Sequence, residues 1–252
     1  MFSKINAFKS KKNKSKIVCL TAYSKNIAQI IDKHTDLVLV GDSLGSVLYN
    51  FKSTRSVTLD MMIEHSKSVR KGISNSLMVV DMPFNTYNNP AQALKNCKKV
   101  MRITKCDGVK LEGGLKIMKT VNLLVKNKIP VMGHLGIMPQ LTKGKFKSKG
   151  KSAKEKKEII RDSKLLENAG AFSIVLECVE KNLAKEITNL IRIPTIGIGS
   201  SNNCDGQVLV TDDILGLTES KIKFVKKFTD IKKTIYFAVK KFKKEVKSKK
   251  YP

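Results

Sequence analysis

Six ionisable side chains stand where short apolar runs stop. Asp42 follows Val38-Leu-Val-Gly41, Asp81 follows Met78-Val-Val80, and Glu177 follows Ser173-Ile-Val-Leu176. Lys110 and Glu112 end the run that opens at Gly108, and His134 ends Val131-Met-Gly133. A carboxylate buried without a partner is expensive, so acids recurring at this position suggest a place that uses their charge. Three carboxylates with few nitrogen or sulfur neighbours suit a hard divalent cation such as Mg2+, which takes oxygen ligands and keeps some of its waters. Taken one at a time, each acid could equally be a salt-bridge partner at a strand end. Their repetition favours chemistry.

The apolar runs themselves must position these groups. Short runs of β-branched and apolar residues, separated by helix-length amphipathic stretches, read as buried parallel strands. Strands are expected at Ile17–Ala22, Leu37–Gly41, Met78–Asp81, Gly108–Glu112, Val131–His134, Ser173–Glu177, Thr195–Gly197 and Val208–Val210. Helices are expected at about Lys25–Asp32, Leu59–Gly72, Pro90–Thr104, Leu115–Asn127, Ala153–Ala169 and Leu183–Leu190. Asn89-Pro90 has the form of an N-cap followed by Pro in the first turn, Ser152 and Glu155 form a capping box, and Asn182 is placed to cap the helix after it. Eight strands alternating with helices predict a (β/α)8 barrel, the strand ends of which meet on one face. Cys178, next to Glu177, is expected to point into the core. A last helix over about 230–246 sets Ile231, Ile235, Ala238, Val239, Phe242 and Val246 on one side and is expected to pack that stripe on the barrel.

The 252 residues match the size of one such barrel, with no internal repeat and no linker, so a single catalytic domain is expected. No apolar stretch is long enough to span a bilayer, and no secretory signal is visible. Five scattered cysteines without a C-x-x-C pair argue for reduced thiols in the cytoplasm. The net charge of +28 is concentrated in three stretches. Residues 1–16 carry six Lys and no acid, residues 143–157 eight Lys and one Glu, and residues 221–250 thirteen Lys and two acids. The first reads as a Lys-rich extension. Such surfaces could attract nucleic acid or anionic membrane, but they lack the interleaved aromatics and Arg forks of base recognition. Specific nucleic-acid or membrane binding is therefore not expected.

Ordered motifs over about residues 17–217 make the chain resemble the ketopantoate hydroxymethyltransferase family. They are Leu20-Thr-Ala-Tyr23, Leu39-Val-Gly-Asp-Ser-Leu-Gly45, His65, Asp81-Met-Pro-Phe84 and Val109-Lys-Leu-Glu-Gly-Gly114. They continue with Ile129-Pro-Val-Met-Gly-His-Leu-Gly136, Pro139-Gln140, Ala169-Gly-Ala-Phe172, Val175-Leu-Glu-Cys-Val179, Ile193-Pro-Thr-Ile-Gly-Ile-Gly199 and Asp205-Gly-Gln-Val-Leu-Val210. The resemblance implies a barrel of the phosphoenolpyruvate/pyruvate-domain type. It implies transfer of a hydroxymethyl group from 5,10-methylenetetrahydrofolate to the 2-oxo acid 3-methyl-2-oxobutanoate, through a Mg-stabilised enolate. The product would be 2-dehydropantoate (ketopantoate), in pantothenate biosynthesis. Carried over residue by residue, Asp42 and Asp81 hold Mg2+ with Glu112 completing its environment. Asp42, Ser43, Asp81 and Lys110 contact the keto acid, and Glu177 accepts the proton. His134 is either an auxiliary hydrogen-bond partner or a structural residue. The implied assembly is a homo-oligomer, commonly a decamer.

The chain departs from the family pattern after His134. A Gly-Gly-Tyr turn is usual there, and this chain reads Leu141-Thr-Lys-Gly-Lys-Phe-Lys-Ser-Lys-Gly150. Lys145, Lys147 and Lys149 are expected to attract the anionic tail of a reduced folate. Ser200-Ser201 stands where Ala-Gly is usual, and Thr35 where Gly is common. Lyases of the same broad superfamily carry a Lys-Lys-Cys-Gly-His signature, which Lys105-Cys106-Asp107 does not match.

Overall fold

The computed structural model describes residues 2–142, 147–219 and 222–251. Eight strands close into a barrel in chain order. They are β1 (Ile17–Thr21), β2 (Leu37–Val40), β3 (Leu77–Asp81), β4 (Gly108–Glu112), β5 (Val131–Gly136), β6 (Ser173–Glu177), β7 (Thr195–Ile198) and β8 (Gly206–Leu209). Helices α1 (Phe2–Lys9), α2 (Lys25–Ile31), α3 (Leu44–Tyr49), α4 (Leu59–Arg70) and α5 (Pro90–Thr104) belong to the first half of the chain. The second half adds α6 (Met118–Lys126), α7 (Ala153–Asn168), α8 (Lys181–Leu190), α9 (Thr211–Ile214) and α10 (Ile231–Lys247). All eight expected strands form, within two residues at each end. The chain divides into two compact units, Met1–Val208 and Leu209–Pro252.

Side chains alternate across every strand, and that alternation sorts the core into two layers. Leu37, Leu39, Leu77, Val79, Met132, Val175, Ile196 and Val208 fill the barrel interior. Their neighbours Val38, Val40, Met78, Val80, Leu111, Leu135, Ile174 and Leu176 pack outward with the helices. Full burial of one such side chain is worth about 1.5–3 kcal/mol, so these two layers are the main favourable contribution to the barrel. The parity also aims the site. Asp81 is two residues beyond Val79, His134 beyond Met132 and Glu177 beyond Val175, so all three share the inner face. Lys110 pairs in register with Asp81 and Met132, and Glu112 with His134, which places both on that face too.

The Lys-rich start of the chain is not a solvated extension. Residues Ile5 and Phe8 of α1 are buried in the interior cluster, with Phe8 edge-on to Phe172 at 5.8 Å between ring centres. Its lysines reach barrel acceptors: Lys4 Nζ donates to Ser74 O at 2.8 Å, Lys11 pairs with Asp36 at 2.7 Å, and Lys12 with Asp205 at 2.8 Å. Those acceptors lie before β3, β2 and β8, so α1 plugs the end where the strands begin. The i, i+3 spacing of two apolar residues was the only local sign of this. Helix α3 was also missed: it is one short turn-and-a-half after Ser43.

Other expectations divide. Asn89 caps α5 by accepting from Gln92 N at 2.9 Å, and Ser152 caps α7 through Glu155 N at 3.2 Å. For α8 the cap is Glu180, which accepts from Leu183 N at 3.0 Å, while Asn182 lies inside the helix. Cys178 is not a core strand residue. It is half-buried in the turn leaving β6, with a left-handed φ of 50°. In the second unit, α10 forms as expected, but none of its residues is buried. Within that helix, Ile235 is 49% exposed and Phe242 51%. Among the described residues no helix is long and apolar enough to cross a membrane.

Candidate active site

The strand-end residues meet as one chain of contacts. Asp42 N donates to Asp81 Oδ2 at 3.0 Å, and Asp81 Oδ1 lies 2.9 Å from Lys110 Nζ. Lys110 Nζ is 3.2 Å from His134 Nδ1. His134 in turn faces Glu112 Oε1 at 3.5 Å from Nδ1 and Glu177 Oε2 at 3.2 Å from Nε2. Asp42, Asp81, Lys110, Glu112 and His134 are buried, while the Glu177 side chain keeps 19% of its exposure at the rim. Ser43 is half-buried, its hydroxyl 2.7 Å from Tyr23 OH. The Tyr23 carbonyl meets His65 Nδ1 at 2.7 Å, which gives that helical histidine a structural role. All seven expected site residues thus stand at the end of the barrel where the strands stop.

Local backbone chemistry makes the placement possible. Gly136 ends β5 with φ 94°, and a Cβ there would sit 2.2 Å from the Glu177 carbonyl oxygen. Only Gly combines that φ with such an approach. The loop then runs past Glu177, with Ile137 N on Glu177 O at 2.8 Å and Lys149 N on Cys178 O at 2.9 Å. Lys149 Nζ lies 3.7 Å from Glu155, Lys147 is exposed, and Lys145 lies outside the described residues.

Crowded acids shape the electrostatics. Burial, then the neighbouring Asp81 charge, pushes Asp42 up to about 8, against the pull of Lys110 and the Gln140 hydrogen bond. Burial likewise raises Asp81, although Lys110 opposes it. Lys110 moves the other way: burial would lower it, but Asp81, Glu112 and Asp42 together hold its ammonium above the ordinary range. At His134, burial and Lys110 disfavour a second proton, while Glu112 and Glu177 favour it and prevail, lifting the imidazole to about 9. Four acids therefore face one lysine and one imidazole.

That excess of negative charge is the test of whether a divalent cation fits. Asp81 Oδ1 is buried and takes no aligned hydrogen bond, its ion pair with Lys110 notwithstanding. All the nearby acidic donors are oxygens, as Mg2+ requires. The acids do not form a ready-made cage, however. Among the described residues no three His, Cys, Asp or Glu side chains are arranged to hold a metal. Glu112 explains part of this, because its Oε2 accepts from Gln140 N at 3.0 Å and its Oε1 faces His134. The expected set of three is thereby narrowed to Asp42 and Asp81, with Glu112 beside them. Two carboxylates supplemented by water and substrate oxygens are an ordinary Mg2+ arrangement.

Comparison with known proteins places this geometry. Residues 3–252 match the ketopantoate hydroxymethyltransferase family. The chain belongs to that family. It is 64% identical to the 3-methyl-2-oxobutanoate hydroxymethyltransferase of Pelagibacter ubique (strain HTCC1062), covering all of this chain and 98% of that one. It is 48% identical to the enzyme of the same name from Anaplasma marginale (strain St. Maries), over all of this chain and 92% of that one. Membership makes this hydroxymethyltransferase-family chain an enzyme, a transferase. Among solved structures, a phosphonopyruvate hydrolase in complex with oxalate and Mg++ superposes with TM-score 0.56 at 9% identity, over 78% of this chain and 72% of that one. A 2,3-dimethylmalate lyase of the PEP mutase/isocitrate lyase superfamily gives TM-score 0.56 at 13% identity, over 77% and 71%. These likenesses show the shared barrel.

In this hydroxymethyltransferase-family chain, the sequence alone does not reveal the hydrogen-bonding hub of the candidate site. Gln140, Tyr87 and Arg55 come from three loops and join Asp42 to Glu112. Gln140 was visible only as part of a Pro-Gln motif. Nothing local distinguishes Tyr87.

Proposed function

We propose that this chain transfers a hydroxymethyl group from 5,10-methylenetetrahydrofolate to 3-methyl-2-oxobutanoate, forming 2-dehydropantoate for pantothenate synthesis. The buried contact series from Asp42 through Asp81, Lys110 and His134 to Glu177 carries this reading, since it sets a charge-stabilising end against a proton-accepting end. Family membership supports the transferase class, and a fold neighbour described with oxalate and Mg++ is in keeping with the acid end. Asp42 and Asp81 would hold Mg2+, which when bound supplies Lewis acidity to the keto oxygen and charge balance to the pocket.

The chain's own groups do the rest. Lys110, held by Asp81 and kept protonated, donates to the keto oxygen and stabilises the negative charge that gathers there. Ser43, beside Asp42, contributes a hydroxyl to the 2-oxo acid. Glu177 at the rim takes the proton from C3, and the electrons of that C–H bond move into the enolate. His134 Nε2, 3.2 Å from Glu177, orients the carboxylate. C3 then bonds to the methylene carbon, whose two C–N bonds to folate are replaced by this C–C bond and by a hydroxyl from water; the two folate nitrogens leave carrying the proton taken from C3 and the remaining proton of the water. Glu177 is the least buried acid of the series, where a second substrate arriving from solvent can reach the C3 it has deprotonated.

Proton NMR of 3-methyl-2-oxobutanoate in D2O with protein and Mg2+ tests the proposal. Loss of the C3 proton signal, then ketopantoate once the folate is added, is the expected result. Retention of the C3 proton and absence of product with folded, Mg2+-loaded protein would overturn it.

A further inference from the structure

Gln140 is a loop residue, yet only 1% of it is exposed and every polar atom it has is engaged. Its Nε2 donates to Asp42 Oδ2 at 2.7 Å and to Met82 O at 3.0 Å. Its Oε1 accepts from Tyr87 OH at 2.6 Å. Its backbone N–H donates to Glu112 Oε2 at 3.0 Å, and its carbonyl accepts from Arg55 Nε at 2.7 Å. The amide is held in this orientation because Met82 O only accepts, so it needs the Nε2 donor and not Oε1 beside it. Arg55 is itself fixed, its guanidinium 4.5 Å from the centre of the Phe84 ring.

One residue thus grips two of the four strand-end acids, by side chain and by backbone. A neutral donor suits that task. A Lys here would neutralise the acids, and a second carboxylate would add to their repulsion. We propose that Gln140, braced by Tyr87, is a positioning residue that orients Asp42 and Glu112 so that the pocket can take a divalent cation. This rests on the cation reading given above and adds to it the group that holds the acids still. The hydrogen bond on Asp42 Oδ2 fixes that carboxylate's rotation and leaves its other oxygen for the ion, while the one on Glu112 holds that acid beside the pair; such supporting partners typically set metal affinity by about 10- to 100-fold.

Mn2+ serves as the probe, followed by electron paramagnetic resonance in the presence of 3-methyl-2-oxobutanoate and without folate, so that no turnover occurs. Gln140→Leu should weaken Mn2+ binding by about 10- to 100-fold. Tyr87→Phe, which removes only the brace, should weaken it several-fold while melting in EDTA as the wild type does. At saturating metal both should recover turnover, since the role assigned to each is to support the acids and not to bind the 2-oxo acid. Should Gln140→Leu not fold, Tyr87→Phe decides alone. Wild-type affinity in the variants, with the wild type binding normally, would overturn the role of Gln140 and leave the cation reading intact. No binding by the wild type would overturn both.

Discussion

The two ends of the barrel bury the same kind of side chain and treat it in opposite ways. At the end where strands begin, Asp32 accepts from Ser74 N, Asn75 N, Ser76 N and the Asn75 amide, at 2.9–3.2 Å. Asp205 there accepts from Thr195 N and pairs with Lys12, both at 2.8 Å. These acids stitch one strand entrance to the next and are satisfied where they stand. Burial alone would raise Asp32, but the N–H donors of Ser76, Asn75 and Ser74 outweigh it and hold the carboxyl below its ordinary value. At the end where strands stop, burial pushes Asp42 and Asp81 upward, and the Asp81 charge adds to the rise at Asp42. An aspartate surrounded by donors stabilises the fold. An aspartate crowded by other acids gains no such stabilisation from its neighbours.

Exchanging single residues at the two ends tests that contrast. Glu177→Gln should lower turnover by about a thousandfold, roughly 4 kcal/mol of transition-state stabilisation, without lowering the melting temperature. Steady-state kinetics beside calorimetry measure both; a fall in stability to match would erase the difference between the ends. Asp205→Ala should do the reverse, costing about 3 kcal/mol of unfolding free energy by denaturant titration while the folded enzyme keeps its kcat/KM. Lys12 and the Thr195 N–H would lose their shared acceptor.

Asp32→Asn should cost about 1–2 kcal/mol at pH 7, since hydrogen bonds to a charged acceptor are replaced by weaker ones. The gap has a definite pH dependence. The folded state takes up the Asp32 proton less readily than the unfolded chain does. The contribution is therefore complete above the ordinary aspartate value of about 3.9 and is lost as pH falls through the folded value. Unfolding curves of wild type and variant should converge progressively as pH falls below the ordinary aspartate value, and parallel curves would show that the charge is immaterial. Asp42→Asn is the smallest and sharpest case. It removes one of the crowded charges and keeps an acceptor for Gln140, so in EDTA the melting temperature should stay level or rise by about 2–4 °C, some 1 kcal/mol. A clear drop would place Asp42 among the structural acids.

How far these positions were legible from the chain depended on the range of the force that sets them. Alternation and run length are local, so the strands ending at Asp81, Glu112 and Glu177 could be read directly, and a closed barrel then brings their ends together. Helix α1 was read as a charged extension because its burial comes from Phe172 and the interior cluster, neither of which is near it in sequence. Cys178 was placed in the core by extending the alternation of β6 one residue past the point where the backbone turns left-handed. Gln140 was named and given no task, because its partners Asp42, Tyr87 and Arg55 lie 53 to 98 positions away.

By itself, then, the sequence determined which residues end buried strands, and hence the set Asp42, Asp81, Lys110, Glu112, His134 and Glu177. Periodicity and the cost of burying charge are enough for that. Only the tertiary structure decided how the set is wired: Lys110 to Asp81, His134 between Glu112 and Glu177, and Gln140 across Asp42 and Glu112. Those choices turn on separations of about 3 Å between side chains from different strands and loops, and a hydrogen bond's distance and angle are properties of the closed barrel rather than of any segment in it.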